Sequence, residues 1–166
     1  MRSNSPKSNK RSVSFRELGV WEKEEFRKLQ IHEYGDSMHK AGYFPTEADA
    51  HQHALESMRL LWAENSKEKP HYFWSIMNDE KDVGFLWVAE NTRFNNAYIY
   101  QITIFEEFRR KGLAREALVK LSADLKAKGI DYLSLNVFAY NPGARALYEE
   151  VGFQDAAHSM RLRLQD

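Results

Sequence analysis

Apolar and polar residues alternate from Val13 to Leu18, with Val13 and Phe15 set against Ser14 and Arg16. That two-residue period predicts a short first strand with one buried face. From Trp21 to about Lys40 the period lengthens: Trp21, Phe26, Leu29 and Met38 recur loosely at helical spacing, and Gly35 predicts a break in that helix. Ala41-Gly42-Tyr43-Phe44-Pro45 interrupts the pattern, and Thr46 with Asp49 three residues on opens a second helix. Its stripe is Ala50, Ala54, Leu55, Met58, Leu61 and Trp62. His71 to Met77 and Val83 to Glu90 are aromatic and β-branched and flank the turn-prone Asn78 to Asp82, which predicts a hairpin. Ala97 to Ile104 continues the meander through Asn95-Asn96. A helix from Lys111 to Lys128 stopped by Gly129, a strand from Tyr132 to Val137, a helix from Pro142 to Val151 stopped by Gly152, and a last strand within His158 to Leu164 complete the series.

The order is strand, two helices, three strands, then helix, strand, helix, strand. The crossover from the Tyr98 strand through the Lys111 helix to the Leu133 strand forms a right-handed βαβ unit, so the fold class is α/β, a mixed sheet with helices on its faces. No internal repeat is visible.

At 166 residues, with 43% apolar and 13% aromatic types, the chain has enough large side chains for one core and excludes an intrinsically disordered protein. The 24 basic residues equal the 24 acidic ones, which argues against a nucleic-acid partner. No cysteine is present, so disulfides, thiolate metal sites and a Cys nucleophile are excluded. Residues 1–12 carry Arg2, Lys7, Lys10 and Arg11 without an acid or an apolar stretch. They read as a flexible basic tail rather than a secretory signal, leaving residues 13–166 as one domain. No run is long enough for a membrane span, and a cytoplasmic location is expected.

Phe105 to Arg115, FEEFRRKGLAR, is the most informative stretch. A strand ends, a basic turn follows, and a helix begins at small residues. The first amides of a helix lack intrahelical partners and sit at the positive end of its dipole, so they can bind phosphate oxygens. Gly112 and Ala114 keep bulk away from such a ligand, while Arg109, Arg110 and Lys111 attract it. The plainer reading is a basic turn capping an ordinary helix. Neither GxxxxGK followed by Ser or Thr nor GxGxxG after the first strand is present, so the P-loop and the dinucleotide fingerprint are excluded. The second stretch runs from Asn141 to Phe153, with Asn141 as N-cap and Pro142 at the first helical position. Ala144, Tyr148 and Val151 share one face of that helix, where Tyr148 either reacts or merely packs.

Together the two stretches resemble the GNAT superfamily of acyl-CoA-dependent N-acyltransferases. Arg109, Gly112 and Ala114 match its pyrophosphate signature, Gln/Arg-x-x-Gly-x-Gly/Ala. Asn141, Ala144, Tyr148, Gly152 and Phe153 match its later signature, Asn-x-x-Ala-x-x-x-Tyr-x-x-x-Gly-Phe. The likeness is firm over Ala97 to Phe153 and looser elsewhere. It implies a sheet of about six to seven strands flanked by about four helices. A bulged strand at Ile99 to Ile104 would splay from Leu133 to Val137 and admit the pantetheine of acetyl-CoA. It also implies that Arg109, Arg110, Lys111, Gly112, Leu113, Ala114 and Arg115 bind the cofactor's phosphates. Ile102, Ile104, Asn141, Ala144 and Tyr148 would line the rest of the cofactor, with the Ile104 N–H facing the thioester carbonyl as an oxyanion donor. Tyr148 would return a proton to the CoA thiolate, since a phenol near ~10 and a thiol near ~8.5 are close in acidity.

The base is less defined. Where many relatives carry an acid or His, this strand offers Tyr98, Tyr100 and Gln101; Glu90, Glu33 and His32 are alternatives, and a water relay is expected. Trp87, Tyr98 and Tyr100 either line an aromatic acceptor cleft or simply pack on the sheet. His51 and His53 lie about 200° apart around a helix and His32-Glu33 lacks a second His at position 36, which is Asp36, so no metal is expected. The acceptor is an amine of a small molecule or protein, and a homodimer through sheet edges is compatible with the sequence. The competing function is an acyl-CoA-binding sensor without turnover, for which a proton donor at Tyr148 would be superfluous.

Overall fold

The computed structural model describes residues 13–162 and Leu164. In chain order they form β1 (Val13–Glu17), α1 (Val20–Lys40), α2 (Glu47–Ala63), β2 (His71–Asn78), β3 (Lys81–Asn91), β4 (Asn96–Ile104), a 3₁₀ turn (Glu106–Phe108), α3 (Leu113–Ala127), β5 (Tyr132–Leu135) and α4 (Pro142–Val151). The strands lie in spatial order β1-β2-β3-β4-β5. Every neighbour pair is antiparallel except β4 with β5, which is parallel because α3 carries the chain back across the sheet.

The two faces of the sheet bury different clusters, as a period of two requires. Leu86 and Val88 of β3 join Ile76, Leu113, Ala117, Leu118 and Leu121 on the α3 side. Trp87, between them, joins Leu18, Phe26, Met58 and Phe73 under α1 and α2. Each fully buried Leu, Ile or Phe contributes about 1.5–3 kcal/mol to holding these layers together.

The antiparallel ladder slips once on β4. Trp87 faces Gln101 while Val88 faces Ile99, which leaves Tyr100 as an extra residue. This bulge lets Ala97 and Ile99 on one side of it, and Ile102 and Ile104 on the other, all meet the α3 cluster. At the β2–β3 turn, Asp79 and Glu80 both have positive φ, 48° and 65°, which suits the twist of a tight hairpin.

Two expectations from the sequence are corrected. α1 runs unbroken through Gly35, which is buried against α2. A Cβ there would lie 1.9 Å from Cδ2 of His51, so this glycine serves close helix packing and not a break. The sheet has five strands among the described residues, not six to seven, and no strand forms at positions 158–162 or 164. Met160, Leu162 and Leu164 are exposed there. Arg161 instead reaches the α1–α2 turn, donating to the Ala41 carbonyl at 2.8 Å and covering the Tyr43 ring at 4.5 Å. Among the described residues no helix is long and apolar enough to cross a membrane.

Candidate active site

The parallel pair separates partway along. β5 pairs with Asn96 to Ile99 and stops at Leu135, whereas β3 accompanies β4 as far as Ile104. The β5-facing edge of Tyr100 to Ile104 is therefore without a strand partner, and apart from the Ile104 carbonyl its backbone groups are open to hydrogen bonding. Gly84 lets β3 hold this half of β4 closely, since a Cβ there would come within 2.0 Å of the Thr103 carbonyl oxygen. Tyr98 lies at the fork, and burial raises its phenol above the ordinary range.

The open edge leads into the turn before α3. Arg110 and Gly112 both adopt left-handed backbone, with φ of 62° and 78°. Gly112 is the N-cap of α3, and a Cβ built on it meets nothing within 4 Å. The first helical bond runs from the Glu116 N–H to the Gly112 carbonyl at 3.0 Å. The amides of Leu113, Ala114 and Arg115 thus lack intrahelical acceptors and open toward the turn. Leu113 is buried, which anchors this end of the helix in the core.

The basic residues are not equivalent. Arg109 is exposed but donates from Nε to the Ile104 carbonyl at 2.9 Å, fixing the end of β4. Lys111 bonds the Glu107 carbonyl at 2.9 Å and lies 5.4 Å over the Phe108 ring. Arg115 is paired with Glu150 of α4 at 2.7 Å. Arg110 is exposed. Three of the four cations expected to attract phosphate are therefore partly committed within the protein, and the backbone carries more of any anion site than the sequence suggests. A cleft of about 330 Å³ lined by Asn78, Asp79, Lys81, Phe108, Lys111 and Leu113 adjoins this turn. It lies toward the β2–β3 turn, away from the open edge of β4.

α4 forms as its caps predict. Asn141 Oδ1 accepts from the Ala144 N–H at 3.1 Å, Pro142 follows, and Gly152 closes the helix with φ 113°. Tyr148 packs on the same apolar cluster as Ile102, Ile104 and Ala114, and meets Phe153 edge-on at 5.8 Å. Burial raises its phenol above the ordinary value.

The remaining candidates separate clearly. Glu90 is buried and held by Lys128 at 2.8 Å and by Tyr72 at 3.3 Å, so it is tied into the sheet. His32 belongs with Asp36 and His51 on α1 and α2. Glu33 faces β4: Gln101 Nε2 donates to its carboxylate at 3.0 Å, and burial raises its pKa. Gln101 also donates to Thr103 at 2.7 Å, an arrangement that no sequence signal indicated. Trp87 is fully buried and lines no cleft, while Tyr100 is half-buried and stacked on it at 4.6 Å.

A mixed sheet whose one parallel pair parts at mid-length, with a helix N-terminus at the open end, is the arrangement that the GNAT resemblance implied. Comparisons with known proteins agree. The acetyltransferase (GNAT) family profile matches residues 21–153. YycN of Bacillus subtilis, named an uncharacterized N-acetyltransferase, is 35% identical over 147 residues, covering 85% of this chain and 94% of YycN. Its crystal structure superposes with a TM-score of 0.84 at 31% identity over 93% of this chain and all of that one. The [ribosomal protein bS18]-alanine N-acetyltransferase of Escherichia coli is 37% identical over 104 residues, 63% of this chain and 68% of that enzyme. A PaiA N-acetyltransferase from Thermoplasma acidophilum, solved with coenzyme A, shares the fold with a TM-score of 0.59 at 18% identity over 86% and 90% of the two chains. The chain belongs to the GNAT acetyltransferase family.

Proposed function

We propose that the protein transfers the acetyl group of acetyl-CoA to a primary amine by direct attack through a tetrahedral intermediate. The observation that carries this reading is the unpaired edge of β4 running into the uncapped amides of α3. In this reading the amides of Leu113, Ala114 and Arg115, with Arg110, hold the diphosphate. Ile102 offers main chain to the pantetheine arm, and Asn141 and Ala144 flank it from α4. The Ile104 N–H stabilises the oxyanion, while the Arg109 bond to the Ile104 carbonyl, in the following peptide, fixes the end of the strand that carries it. Attack forms the C–N bond, collapse breaks C–S, and Tyr148 gives its proton to the departing thiolate.

A water relay removes the proton of the attacking amine, since β4 supplies Tyr98, Tyr100 and Gln101 where a dedicated base would stand. Positioning then supplies much of the acceleration. Thiol release measured over a panel of amines of graded basicity tests both points. Turnover is expected, and the pH at which kcat/KM rises is expected to follow each amine's own pKa. One fixed value across the panel would indicate a single protein base, and binding of acetyl-CoA without thiol release would favour the sensor.

A further inference from the structure

We propose that His32, Asp36 and His51 form a binding site for a first-row divalent transition-metal ion, which clamps α1 to α2. His32 and Asp36 are four residues apart on α1 and so share a face of the helix. His51 enters from α2, brought close because Gly35 has no side chain to hold the two helices apart. His51 Nε2 lies 2.7 Å from Asp36 Oδ1 and 3.3 Å from His32 Nδ1, and the third edge, His32 Nδ1 to Asp36 Oδ1, is 3.5 Å.

Ligand atoms at about 2.0–2.1 Å from a tetrahedral ion stand about 3.3–3.4 Å apart. Two edges of the triangle are within about 0.2 Å of this length, and the third, at 2.7 Å, needs about 0.6 Å of opening, within the swing of an exposed carboxylate. Two imidazoles sharing such an ion place their ring centres about 5.2 Å apart; here they are 5.0 Å apart, at 70° to one another. Hydrogen bonding alone serves the trio poorly. If His51 Nε2–H donates to Asp36, that nitrogen cannot accept from His32, and a protonated His32 Nδ1 would crowd the same N–H. A cation uses all three lone pairs at once.

The donor set selects the class of ion. Two imidazoles and one carboxylate suit zinc and its first-row neighbours, whereas magnesium and calcium take oxygen ligands. The side chains of His32 and Asp36 are 66% and 55% exposed, so water can complete the coordination shell. The other described histidines are engaged elsewhere: His39 with the Phe44 carbonyl, His53 with Ser57, His71 with Trp87, and His158 beside Asp155.

Titration of the untagged full-length chain with Zn²⁺ tests the site, read by calorimetry and by the melting temperature, with Co²⁺ as a spectroscopic probe. One equivalent is expected to bind in the micromolar range. At about a hundredfold excess over Kd it should raise the melting temperature by roughly 5–10 °C. Co²⁺ should give the visible absorption of a low-coordinate nitrogen and oxygen site. His51→Ala and Asp36→Asn should each weaken Zn²⁺ binding by about 30-fold or more. The melting temperatures of both metal-free variants report whether they remain folded, and His32→Gln provides a third variant that keeps the bulk of the side chain. No binding below about 100 μM, or equal affinity in folded variants, would overturn the proposal.

Discussion

Tyr148 is legible in the sequence as a phenol one turn beyond a small residue on an N-capped helix. Its surroundings are not, because the apolar wall around it comes from β4 and α3. That wall raises its pKa and widens the gap to a departing thiol, at about 1.4 kcal/mol for each unit. The acid must be protonated to act, so the alkaline loss of kcat assigned to it is expected above the ordinary phenol value near ~10. Tyr148→Phe should lower kcat by roughly 10²-fold, remove that limb, and leave acetyl-CoA affinity almost unchanged. Steady-state kinetics across pH, with calorimetry for affinity, checks this; an undiminished rate would take Tyr148 out of the mechanism. Arg109 illustrates the opposite case. Its motif position suggests a phosphate contact, yet its guanidinium bonds the Ile104 carbonyl, a choice made by the end of a strand five residues earlier.

Among the elements, α3 and α4 show how caps govern ends. Asn141-Pro142 and Gly152 bound α4 where local rules put them. α3 begins two residues later than its sequence suggests, because Arg110 and Gly112 take left-handed backbone and Lys111 stays in the turn. Gly112→Ala separates stability from binding. The added Cβ meets no protein atom, so the cost is the backbone conformation alone, about 1 kcal/mol, or roughly 2–4 °C in melting temperature. If the α3 amides hold the diphosphate, the same methyl weakens acetyl-CoA binding severalfold while kcat at saturation changes little. Wild-type affinity in the folded variant would remove the amide cradle.

Across the whole molecule, Arg16 of β1 joins three elements. It donates to Glu22 of α1 at 2.9 and 2.8 Å and to Asp82 of β3 at 2.8 Å, while Asp82 also accepts from Ser75 of β2. Glu22 further accepts from the Gly19 N–H at 2.7 Å, closing the first turn of α1. The Arg16 guanidinium and this amide hold the Glu22 carboxyl at about 2, against an ordinary 4.5. A carboxylate depressed in the folded state stabilises it above the unfolded value and loses that contribution as pH falls toward the folded one. The window is therefore about pH 5 to pH 2. With both side chains some 40% exposed, solvent screening leaves on the order of 1 kcal/mol. Thermal melts should show stability falling through that window, and Glu22→Gln should flatten the fall. An identical pH profile in the variant would mean that the network contributes nothing measurable.

The chain's own pattern determined the order of helices and strands, the capped ends of α4, the hairpin between β2 and β3, and the two signatures that bracket the site. These rest on periodicity, backbone preference and capping, which act within a few residues. The bulge on β4, by contrast, was expected only from the likeness to the family. Tertiary structure decided how far β5 accompanies β4, that the segment beyond Gly152 adds no strand among its described residues, that Gly35 seats His51 instead of breaking α1, and which cations are already engaged. Each of these is a competition among partners distant in the chain, settled by packing and hydrogen bonding once the sheet and helices have come together.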